Sequence, residues 1–138
     1  MNINIKLKED DTIILDFDNL YNLKIIFEQE SVEINNIKFD TDAASLQRLK
    51  MLSYLNKEIQ FKDANNSTIS LSGSEIGSYI PLIEGKLGER YEIVNLRYNT
   101  FKTQLSANQV ITHYNAVSAF YEDVYGIPFT ENEYTNMF

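Results

Sequence analysis

The sequence predicts an α+β fold on three observations. Short apolar segments with period-2 alternation fill the first forty residues, a heptad-like stripe runs through the second half, and a hairpin-like pair of segments lies between two helical stretches. The expected order is an N-terminal antiparallel meander, a helix, a β-hairpin, a long helix kinked or broken by proline, and a C-terminal helix. The texture of the chain marks three segments: a β region over 1–39, a helix–hairpin–long-helix region over 40–106, and a terminal helix with its tail over 107–138.

The meander begins with Ile3, Ile5 and Leu7 alternating with Asn4, Lys6 and Lys8, the pattern of a half-buried strand. Glu9, Asp10 and Asp11 make a turn, Thr12 to Phe17 a second strand, and Leu23 to Phe27 a third. Val32-Glu33-Ile34 and Ile37-Lys38-Phe39 flank Asn35-Asn36, a two-residue turn suited to asparagine because asparagine tolerates positive φ.

Asp40 or Asp42 caps the next helix, since a carboxylate accepts the free N–H groups of a first turn. Ala44, Leu46, Leu49, Leu52, Tyr54 and Leu55 give that helix its apolar side, to about Asn56. Ile59 to Lys62 and Thr68 to Leu71 flank Asp63-Ala-Asn-Asn66 as a second hairpin. Ser72-Gly-Ser-Glu75 is a capping box.

Beyond it, Ile76, Ile80, Ile83, Leu87, Arg90 and Val94 step by fours and threes, and Tyr98, Phe101 and Leu105 continue the stripe. Thirty residues of helix span ~45 Å at 1.5 Å per residue. A seam of that length on a small protein requires cover, and a second copy is one candidate. Ile76, Ile80, Ile83, Leu87, Val94, Tyr98, Phe101 and Leu105 are therefore the candidate interface. Pro81 places a kink, a break or a helix start near residue 81. A last helix covers Asn108 to Tyr125 and stops at Gly126 and Pro128. The tail, Ile127 to Phe138, carries Phe129, Tyr134 and Phe138 among acids and is either docked or partner-seeking.

Composition narrows the chemistry. With no cysteine there are no disulfides, cysteine zinc sites, iron–sulfur clusters or thiol nucleophiles. A single histidine, His113, leaves no multi-histidine metal site, and neither a nucleophile nor an orienting group accompanies it in sequence. A net charge of -8 opposes nucleic-acid binding. No apolar run approaches the ~20 residues of a membrane span, and no signal peptide opens the chain. The acids at Glu9-Asp10-Asp11, Asp16/Asp18 and Asp40/Asp42 sit where turns and caps favour aspartate, and the EF-hand spacing is missing. Gly73, Gly77, Gly85 and Gly88 fit neither a phosphate loop nor a dinucleotide fingerprint. No catalytic, cofactor or metal residue is assigned, and no cofactor is expected. Of the aromatics in the C-terminal half, such as Tyr79, Tyr91 and Tyr125, some belong to the core and some to an interface.

One segment resembles a known family. Phe39-Asp-Thr-Asp-Ala-Ala-Ser45, followed by Leu46-Gln-Arg-Leu49, is similar to the opening of a domain of unknown function found in bacteriophage tail-fibre and tail-associated proteins. The likeness continues through the hairpin from Ile59 to Ser70, the helix opening Leu71-Ser-Gly-Ser-Glu75, and Lys102-Thr-Gln-Leu105 at the end of the long helix. It covers residues 37–105. Phe61 stands where the family often has tryptophan, and Pro81 interrupts the helix. The family has no established catalytic residues, so the resemblance implies none here.

What it implies is a non-enzymatic virion protein of the phage tail, made in the host cytoplasm. Its role is attachment or oligomerisation, through other tail proteins or copies of itself, with no nucleic acid and no membrane. Two alternatives stand beside it: a tail-fibre assembly chaperone missing from the finished particle, and a small acidic inhibitor of a host nucleic-acid-binding enzyme.

Overall fold

The computed structural model describes residues 13–138, and helix dominates it. In chain order the elements are α1 (Phe17–Glu28), β1 (Val32–Ile34), β2 (Ile37–Phe39), α2 (Ala43–Ser53), β3 (Glu58–Lys62), β4 (Thr68–Ser72), α3 (Gly73–Ser106), α4 (His113–Tyr125) and α5 (Glu131–Met137). Among the described residues two separate two-stranded antiparallel sheets accompany the helices, so the chain is α+β.

The chain packs as two units. The first is Gln29–Arg90. In it β1 pairs with β2 across Asn35 and Asn36, both at positive φ (52° and 67°), the conformation a two-residue hairpin turn demands. The second hairpin holds Ile59 opposite Leu71 and Phe61 opposite Ile69. Its turn is closed by the Asp63 carboxylate, which accepts the N–H groups of Asn65 and Ser67 at 2.9 and 2.8 Å. The Ala64 N–H donates to the Lys38 carbonyl at 2.8 Å and ties the two hairpins together. Val32, Phe39, Leu49, Ile59, Leu71, Ile76 and Ile83 make the core. The Arg90 guanidinium donates to the carbonyls of Glu30 and Ser31, so this member of the stripe holds main chain rather than another helix.

The second unit takes residues 13–28 together with Tyr91–Phe138. Asp16 opens α1: its carboxylate accepts the Asn19 N–H, and the Asn19 side chain accepts the Asp16 N–H, both at 2.7 Å. Leu20, Leu23 and Phe27 fall on one face of α1 and are fully buried. Phe27 stacks on Phe120 with ring centres 5.5 Å apart, and Val94, Phe101, Ala116, Val117 and Tyr121 complete the core.

Compactness thus groups the chain otherwise than the texture segments 1–39, 40–106 and 107–138, because α3 supplies residues to both units. Two local expectations are corrected. Leu23 to Phe27 is the last part of a helix, not a strand: Leu20, Leu23 and Phe27 repeat at three and four, and that period overrides the run Ile25-Ile26-Phe27. Thr12 to Phe17 is not a meander strand either. Among its described residues only Ile14 bridges, pairing with Thr112, while Phe17 already belongs to α1. The strand expected over Ile3 to Leu7 lies outside the described residues.

The second hairpin forms where the sequence placed it, and α2 runs from the Asp42 cap. α3 is continuous from Gly73 to Ser106, with Pro81 inside it. Pro81 is exposed, and its missing N–H leaves the Gly77 carbonyl, four residues back, without its helical donor. The helix expected over Asn108 to Tyr125 is α4 and starts at His113 rather than Asn108, because the Thr112 hydroxyl accepts the Asn115 N–H as its cap. It ends at Gly126 in the left-handed conformation (φ 69°). The tail docks as α5, with Tyr134 buried.

Candidate functional site

A cleft of about 410 Å³ opens in the unit Gln29–Arg90 between α2 and β3, with the end of β2 at its margin. It falls within the size range of small ligand pockets. Three pieces of local structure build it. Asp42 starts α2 by accepting the Ser45 N–H at 3.1 Å. Hydrogen bonds from Ser45, and less strongly the charge of Arg48, hold the Asp42 carboxyl below its ordinary pKa. Starting the helix there places Ser45, Leu49 and Leu52 on the cleft side, at spacings of four and three, with Arg48 beside them.

β3 supplies the opposite wall as three consecutive residues, Gln60, Phe61 and Lys62. Phe39 and Phe61, with ring centres 6.5 Å apart, form the floor with Leu49 and Leu52. The rim carries Asp40, Arg48 and Lys62, all exposed. Lys62 Nζ donates to the Thr68 hydroxyl at 2.9 Å. Asp63 also borders the cleft, but its carboxylate is buried and engaged by the turn. Arg48 enters no ion pair among the described residues. An apolar floor ringed by ionic groups suits an apolar side chain whose neighbours carry charge.

The candidate interface stripe lies elsewhere. Ile76, Ile83 and Leu87 pack into the core of Gln29–Arg90, and Val94, Tyr98, Phe101 and Leu105 into the other core, with Ile80 half-buried. The stripe is real, but α2 and the two hairpins cover one half and α1 and α4 the other. Ile76, Ile83, Val94 and Phe101 are buried in these cores, while Ile80, Leu87, Tyr98 and Leu105 stay half-buried. Among the aromatics, Phe101, Phe120 and Tyr121 are buried, while Tyr91 and Tyr125 are exposed.

His113 is buried, and its Nδ1 lies 2.9 Å from the Tyr134 hydroxyl. Burial pushes its pKa below the ordinary value, against a smaller opposing pull from Asp16. Among the described residues no three of His, Asp or Glu converge as a metal-binding group, and no helix is long and apolar enough to cross a membrane.

Sequence reasoning passed over Arg48 and Gln60 as site residues. Its signals were local: Leu49 and Leu52 on one side of α2, and Gln60 and Lys62 alternating with Ile59 and Phe61. Nothing in those patterns says that the two elements face each other. No family model, no curated protein and no solved structure matches the chain.

Proposed function

We propose that the chain is a non-enzymatic attachment protein of a bacteriophage tail, joined to another tail protein through the unit Gln29–Arg90. The observation that carries this reading is the open cleft between α2 and β3, which lies in the segment that resembles the tail-associated domain. An apolar floor inside an ionic rim is the layout of a protein-interaction hot spot, where one buried anchor supplies most of the energy and the rim excludes water. The α3 stripe is a weaker candidate for attachment, because Ile76, Ile83, Val94 and Phe101 are already buried within the chain.

Quantitative mass spectrometry of purified particles tests the reading. A fixed stoichiometry relative to the other tail proteins is the expected result. Expression during infection with absence from the particle would overturn it and favour the assembly chaperone. A photoreactive residue in place of Leu52 should cross-link to one tail protein, and the same residue in place of the exposed Leu96 should not.

A further inference from the structure

We propose that two copies of the chain pair antiparallel through an exposed side of α3, about a two-fold axis between Leu87 and Gly88. This goes beyond the attachment reading and involves neither the cleft nor the buried stripe of that helix. The first observation is exposure. Leu82 and Ile93 each stand one residue, about 100° round the helix, from the fully buried Ile83 and Val94, yet they are 52% and 39% exposed. Lys86 and Glu89 lie between them on the same side and are exposed too. All four belong to one uninterrupted helix, so their sharing a side follows from helix geometry alone.

The second observation is the order of these residues. From Leu82 onward the stripe is apolar, basic, acidic and apolar, at spacings of four, three and four residues. The spacing is the same in either direction, while the charge changes sign. An antiparallel pair joins each position to its mirror position. Leu82 of one copy then meets Ile93 of the other and Lys86 meets Glu89, each contact made twice. Parallel pairing would set Lys86 on Lys86 and Glu89 on Glu89. Sliding the antiparallel pair by one heptad would set Ile93 on Glu89 or Leu82 on Lys86. Charge complementarity therefore selects a second copy as the occupant, and fixes its direction and register.

The third observation is that these two charges are available. Among the described residues neither Lys86 nor Glu89 enters an ion pair, whereas the neighbouring charges are engaged or stand aside. Glu84 pairs with Lys50 at 3.5 Å, Arg97 pairs with Asp123 at 2.6 Å, and the Arg90 guanidinium holds the carbonyls of Glu30 and Ser31. Glu92 is about 100° round the helix from Ile93, at the margin of the pair. Gly85 borders the stripe on that same margin, and a Cβ there would meet nothing within the chain. The fold itself thus has no need of glycine at this mid-helix position, and its missing side chain leaves a second helix room to approach.

The contact is short, four layers over about 16 Å of helix, so the expected dissociation constant is roughly 10–100 µM and the chain is a monomer at low micromolar concentration. Sedimentation equilibrium of the full chain, from about 5 µM to about 1 mM, should follow the passage from monomer to dimer. Lys86→Glu and Glu89→Lys should each weaken the dimer at least about tenfold. The double variant that exchanges the two charges should restore it to within about threefold, since the exchange rebuilds both ionic layers. The chain has no cysteine, so introduced cysteines report the register. An equimolar mixture of Leu82→Cys and Ile93→Cys, oxidised with diamide, should give a disulfide-linked dimer. Leu82→Cys alone should not, because the two copies of that position lie about 16 Å apart along the pair. All four side chains are exposed, so the variants should keep the circular dichroism of the parent. A monomer at every concentration, single charge variants as tight as the parent, a double exchange as weak as the single variants, or cross-linking of Leu82→Cys to itself would each overturn the proposal.

Discussion

His113 Nδ1 and the Tyr134 hydroxyl lie 2.9 Å apart, which ties the first residue of α4 to the middle of α5. The Phe138 ring closes over the histidine edge-on, at 5.0 Å between ring centres and 84° between planes. A charge on this imidazole would be poorly solvated and would sit at the positive end of a helix dipole.

The pair makes stability depend on pH. His113 is held neutral in the folded chain, with its pKa below the unfolded value of 6.5. The unfolded chain therefore binds more protons just below that pH, and folding stability is full above 6.5 and falls as the pH drops beneath it. Asp42, whose carboxyl is also lowered, adds its loss only below about 3.8. Urea midpoints should fall between pH 7.5 and 5, and the fall should shrink in His113→Gln. Parallel profiles for parent and variant would show that this histidine is not the group responsible. At pH 7.5, Tyr134→Phe should cost about 1–3 kcal/mol by leaving a buried ring nitrogen without its partner.

The two faces of α3 should respond very differently to truncation. Ile83 has no exposed surface, whereas Leu96 is 62% exposed. Ile83→Ala should lose about 2–5 kcal/mol in denaturant titrations through lost burial and the cavity left behind, and Leu96→Ala less than about 0.5 kcal/mol. Comparable losses would mean that the outer face of α3 is covered in solution.

Glycines on α3 split in the same way. A Cβ at Gly73 would lie 1.9 Å from the Leu55 carbonyl oxygen, a contact that forces main chain to move, so Gly73→Ala should destabilise by about 1–3 kcal/mol. Gly85 and Gly88 face open space, and alanine there should stabilise the helix by about 1 kcal/mol each. Thermal melts of the three variants check the signs.

Lys24 supplies a fourth test. Its ammonium pairs with Glu28 at 2.9 Å and lies 5.5–5.9 Å from the ring centres of Tyr21, Tyr91 and Tyr98. The hydrogen bond to Glu28 raises its pKa, and the side chain is only 14% exposed. Lys24→Met keeps the apolar stem and removes the charge, and should cost about 1–2 kcal/mol. An unchanged melting temperature would reduce the ring arrangement to simple packing.

Several elements were legible because their causes are local. The Asn35-Asn36 turn, the Asp42 cap and the Ser72–Glu75 capping box each depend on groups within a few residues, and each is present. The reading failed at residues 23–27, where β-branched neighbours hid a helical period that only packing against Phe120 makes decisive. A break or a helix start near Pro81 was also among the expectations, and α3 instead runs through it.

The stripe on α3 divides what sequence settles from what it leaves open. Its period placed Ile76, Ile83, Val94 and Phe101 on one buried face, since helix geometry alone fixes which side chains share a face. What covers that face is a matter of contacts between residues far apart in the chain. Tertiary structure alone assigned one half of the stripe to α2 and the hairpins and the other to α1 and α4, burying Ile76, Ile83, Val94 and Phe101 and leaving Ile80, Leu87, Tyr98 and Leu105 half-buried. The cleft has the same origin. Arg48 and Lys62 are ordinary surface cations in sequence, and they share a rim only because a helix and a strand edge fold against one another.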